Sequence, residues 1–109
     1  MDFEIKFEQI SKKFGEQFNW YYVNAINDSY MNQANRELSA RHCLYNKIVK
    51  TLAKCESNDD VLFYLKDNQF AIVHLTYSSN DDLYTRFEIF NNLNDLFGYI
   101  EKKYIQDYL

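Results

Sequence analysis

Phe3, Phe7, Ile10 and Phe14 recur at spacings of four, three and four residues, the apolar stripe of an amphipathic helix. Gly15 follows at once and suits the helix end, since glycine takes positive φ without a Cβ clash. The run Phe3–Phe7 also alternates, which keeps an opening strand as the competing reading. From Glu16 to Asn32, Phe18, Tyr22, Ala25, Ile26 and Tyr30 again follow helical spacing, with Trp20 and Val23 widening the apolar surface. A third helix is predicted over about residues 34–56, through Leu38, His42, Tyr45, Ile48, Leu52 and Cys55, until Asn58-Asp59-Asp60 breaks the pattern.

Beyond that break the period changes. Val61–Leu65 is an apolar run too short for periodicity to assign. Asp67-Asn68 behind it suits a tight hairpin turn, because both residues tolerate left-handed φ; a last helical turn is the alternative. In Gln69–Tyr77, Phe70, Ile72, His74 and Thr76 fall on one face of a strand, and Ala71, Val73, Leu75 and Tyr77 on the other. Both faces are mostly apolar, so this strand is expected inside a sheet and covered on each side. The polar run Ser78–Asp82 leads into a second strand, Leu83–Phe90, with Phe87 and Ile89 on one side and Tyr84, Arg86 and Glu88 on the other. So short a connection predicts antiparallel pairing. A closing helix follows, with Asn92 as cap, Asp95 in its first turn, and Leu93, Leu96, Phe97, Ile100 and Tyr104 as its buried stripe. The predicted fold is α+β: three N-terminal helices, a small antiparallel meander and a closing C-terminal helix, in one domain over residues 1–109.

Composition supports a packed core. Of 109 residues, 47% are apolar and 18% aromatic, with no proline and two glycines; this excludes intrinsic disorder and polyproline linkers. Met1–Phe14 alternates charge with apolar residues and does not read as a secretory signal, and no run approaches the roughly 18 apolar residues of a membrane span. A cytoplasmic protein with reduced Cys43 and Cys55 is expected. Both cysteines fall on the third predicted helix, about 18 Å apart by helical rise, too far for a disulfide.

The net charge of −4 is unevenly placed: residues 1–57 hold seven acids against eight bases, whereas residues 58–109 hold nine against four. An acidic C-terminal half argues against direct nucleic-acid binding, which needs a basic face, and favours a basic protein partner. The binding residues expected on this ground are Asp59, Asp60, Asp81, Asp82 and Glu88, with Tyr84 as an aromatic contact; Trp20-Tyr21-Tyr22 is a second candidate anchor.

Catalytic and metal chemistry is sparse. His74 shares its strand face with Phe70, Ile72 and Thr76 and reads as a core histidine with satisfied ring nitrogens, since no orienting carboxylate is evident in the sequence. His42 and Cys43 are helix neighbours and diverge by about 100°, so they make a poor joint metal site. Neither Asp59-Asp60 nor Asp81-Asp82 carries the oxygen spacing of an EF-hand loop. Phosphate loops, nucleophile elbows and catalytic carboxylate pairs are missing. No enzymatic activity, cofactor, metal or membrane contact is expected.

One segment carries a resemblance. Phe70-Ala-Ile-Val-His-Leu-Thr-Tyr77 resembles a stretch reading close to F-A-[LV]-V-H-L-T-W in small bacterial immunity proteins of toxin systems. There too a polar turn, a second strand and a closing helix follow, so the similarity spans residues 69–97. Tyr77 replaces the tryptophan, and the prolines around the strand are missing. The resemblance implies a stoichiometric inhibitor that caps a cognate toxin domain, possibly a nuclease, inside the producing cell; it assigns no site residue. A small regulatory adaptor that binds a basic host or phage protein is the rival reading from charge.

Overall fold

The structure is a computed structural model and describes residues 2–23, 29–38, 43–75 and 86–108. Helix α1 (Phe3–Phe14) is followed by strand β1 (Trp20–Tyr22), helix α2 (Ser29–Glu37), strands β2 (Ile48–Cys55), β3 (Asp60–Leu65), β4 (Phe70–His74) and β5 (Phe87–Phe90), and helix α3 (Leu93–Tyr108). The strands form one antiparallel sheet in sequence order, β1-β2-β3-β4-β5. The α+β class, the meander and the closing helix are therefore as expected. Among the described residues no helix is long and apolar enough to cross a membrane.

Each face of the sheet carries its own core. Toward α1 and α3 lie Phe3, Phe7 and Ile10 of α1, Leu62 of β3, Phe70 and Ile72 of β4, and Leu96, Ile100 and Tyr104 of α3. Toward α2 lie Ala34, Leu38 and Leu44 with Val61, Phe63, Leu65, Ala71, Val73 and Leu75. Burying this much apolar surface on both sides is the main favourable term in folding. Helix ends follow local chemistry. Gly15 stops α1 at φ 70° and ψ −152°, a region that essentially only glycine occupies. At the start of α3 the Asp95 amide donates to Asn92 Oδ1 at 2.8 Å, the side-chain cap that the sequence predicts.

Two expected helices are corrected. Over residues 16–32, Trp20–Tyr22 is a strand, pairing Trp20 with Cys55 and Tyr22 with Ala53, and the described helix α2 is Ser29–Glu37. Three consecutive aromatics favour a pleated, half-buried strand, and pairing with β2 overrides the local helical spacing. Over residues 34–56, α2 ends at Glu37 and Ile48–Cys55 forms β2, which separates Cys43 from Cys55. Neither register nor burial of β2 keeps a clean two-residue repeat. Irregularities fall between Ile48 and Lys50 and between Thr51 and Ala53, and every residue from Thr51 to Cys55 is buried. A strand covered on both faces and interrupted by bulges has no period left to detect, so chance helical spacing dominates the pattern. Both cysteines are free, Cys43 exposed and Cys55 buried. His42 lies outside the described residues.

The β3–β4 connection is the expected hairpin. Asp67 and Asn68 do take left-handed backbone, at φ 63° and 59°. The loop, however, spans three residues, Lys66–Asn68, with the Leu65 amide donating to the Gln69 carbonyl at 2.8 Å.

Candidate functional site

That one-residue difference places the candidate site. A two-residue turn at Asp67-Asn68 would set Val61 opposite His74. The three-residue loop instead sets Asp60 opposite His74, and residues directly opposed in an antiparallel ladder share a face. His74 Nδ1 lies 2.9 Å from Asp60 Oδ1, with the two side chains 32% and 23% exposed. The expected core histidine is therefore a half-exposed residue at the open end of β4, joined to the orienting carboxylate that no sequence signal supplied. Because an ionised carboxylate only accepts, Nδ1 carries the proton and Nε2 is the free nitrogen of the neutral ring.

The loop before Asp60 is held from several sides. Lys54, buried on β2, donates through Nζ to the carbonyls of Cys55 and Asn58. The Asp60 amide donates to Asn58 Oδ1 at 2.8 Å, and the Leu75 amide to the Asp59 carbonyl at 3.1 Å. Buried Asn19 donates to Ser57 Oγ at 3.2 Å. On the far side of β4, Glu88 of β5 stands opposite Ile72, and the His74 amide donates to the Arg86 carbonyl at 2.9 Å. Asp60, His74, Ile72, Arg86 and Glu88, with Asn58, Phe87, and Tyr99 and Lys103 of α3, line an open cleft of about 350 Å³.

Of the residues expected to bind a partner, Asp60 and Glu88 meet in this cleft, and Asp59 is an exposed neighbour in the loop at its edge. Asp81, Asp82 and Tyr84 lie outside the described residues. Trp20 is buried in the helix-side core and is no free anchor, while Tyr21 and Tyr22 stay exposed at the far edge strand. The charge count included Arg86 and Lys103 but could not place them among the acids, where they bring two cations, so the cleft is of mixed charge. Their convergence depends on strand register and on the crossing of α3, neither of which a linear count contains. Chemically, a carboxylate-held imidazole can accept or deliver a proton at Nε2. Among the described residues, none on the lining is a serine, threonine or cysteine that would serve as its nucleophile. Among the described residues, no group of three or more His, Cys, Asp or Glu could hold a metal ion.

Comparison with protein-family models, with curated proteins and with solved structures found no match.

Proposed function

We propose that this protein is a non-enzymatic immunity-type inhibitor, which binds a cognate bacterial toxin domain in the cytoplasm through the acidic end of its sheet. The observation that carries the reading is the register of β3, β4 and β5. It sets Asp60 and Glu88 on one face on either side of β4, with Asp59 beside them. Binding groups are commonly mounted this way, on strand ends and loops over a rigid scaffold. The resemblance of residues 70–77 to immunity proteins supports the same reading from the sequence. Arg86 and Lys103 add selectivity: a partner must carry acceptors beside its basic groups to match the cleft.

The test is association with the product of the reading frame directly upstream, where an immunity gene's toxin is expected. D59K/E88K should slow association several-fold, mainly through k_on, and added salt should slow the wild-type protein. Co-expression of this chain should protect cells from that product, and D59K/E88K should protect them less. Rates independent of salt and unaltered by the double reversal would move the interface to Tyr21, Tyr22 and the N-terminal helices.

A further inference from the structure

The cleft at the end of β4 also has the composition of an anion seat, independently of any protein partner. Cationic and polar donors reach it from three elements: His74 at the end of β4, Arg86 beside the start of β5, and Tyr99 and Lys103 on α3. Among the described residues, the side chains of Arg86 and Lys103 have no ion-pair or hydrogen-bond partner. Asp60 is already committed to His74. Among the described residues, that leaves Glu88 as the carboxylate on the lining with no described partner, beside two cations with none. A volume of about 350 Å³ over the apolar floor of Ile72, 4% exposed, lies within the range of small-ligand sites.

We propose that this cleft binds a small oxyanion, carried by a sulfate-, phosphate- or carboxylate-bearing ligand. Arg86 and Lys103 hold it, and His74 adds its Nε2–H when protonated. Arginine suits oxyanions because its planar guanidinium offers paired donors, and lysine adds a compact charge. Asp60 matters indirectly: by accepting from Nδ1 it orients the ring. Among the described residues, the charged and titratable groups that line the cleft with His74 are Asp60 from β3, Arg86 and Glu88 from the β5 side, and Tyr99 and Lys103 from α3. Protonation converts Nε2 from acceptor to donor, so anion affinity rises as pH falls. Glu88 acts in the opposite sense and keeps the seat weak for a bare anion.

The experiment is a titration of the whole protein with sodium sulfate at constant ionic strength, followed by amide NMR. Sulfate keeps its charge at both about pH 5.5 and about pH 8, so a change in affinity between them comes from the protein. The expected result is a saturating shift confined to residues near Asp60, His74, Arg86 and Lys103, tighter at the lower pH. R86Q and K103Q each replace a solvent-facing side chain and should weaken binding roughly tenfold, the scale of one charge-assisted hydrogen bond. E88Q should tighten it a few-fold, and H74N should flatten the pH dependence. Acetate in a parallel titration sorts the ligand class: saturation by both anions marks a general oxyanion seat, by sulfate alone a tetrahedral one. Shifts that grow linearly and spread over the surface, or that survive R86Q and K103Q unchanged, overturn the proposal. E88Q separates it from the interface reading, since the substitution should strengthen sulfate binding while weakening a basic protein partner.

Discussion

At the scale of single residues, the pair His74–Asp60 is the most consequential contact. Its distance of 2.9 Å is that of a good hydrogen bond, yet both side chains keep about a quarter to a third of their exposure. Partial solvation makes such a pair worth much less than a buried one. His74→Ala is expected to cost only about 0.5–1.5 kcal/mol, less than the 2–5 kcal/mol typical of emptying a core site such as Leu62 or Leu65. A double-mutant cycle of His74→Ala with Asp60→Ala, read from denaturant midpoints, should give a coupling of roughly 0.5–1 kcal/mol. Zero coupling would mean that the contact contributes nothing in solution. A much larger one would mean that the pair is effectively desolvated.

At the scale of elements, the end of α1 isolates a purely backbone effect. An added Cβ at Gly15 would meet no atom within 4 Å, so Gly15→Ala makes no clash. The backbone at φ 70° and ψ −152° is nonetheless closed to alanine without strain. The substitution should therefore destabilise by about 1–3 kcal/mol, measurable as a lowered denaturant midpoint with unchanged slope; an unaffected midpoint would show that the end of α1 relaxes freely. α1 and α3 were legible because they lie on the surface of the sheet and keep a full amphipathic stripe ending in Gly15 or beginning at Asn92. β4 was legible as an apolar run between turn residues. β1 and β2 were not, since β1 is three residues long and β2 is buried through its last five residues and bulged. The candidate site was half legible. Asp60 and Glu88 followed from the charge split, but their meeting with His74 hung on one extra residue in the Lys66–Asn68 loop. No local preference distinguishes a loop of three from a turn of two when both residues at its tip accept positive φ.

At the scale of the whole molecule, the two cores are not independent. β3 is the middle strand, and its alternate side chains divide between them: Leu62 enters the helix-side core, while Val61, Phe63 and Leu65 enter the other. It is also hydrogen-bonded along both edges, with Phe63 opposite Thr51 on one side and Ala71 on the other. Neither core can be dismantled while the other keeps this strand fully packed, so the cores should melt together. Native-state hydrogen exchange would register this as a ranking of amides. Those of Leu62 and Phe63 should exchange only through global opening, and those of β1 and β5 through smaller, denaturant-insensitive fluctuations. Slower exchange in α1 than in β3 would refute that ranking. Because β3 begins at Asp60, the carboxylate that orients His74 is attached to the most slowly opening part of the chain. The imidazole's aim should therefore persist through local fluctuations that release the sheet's edges.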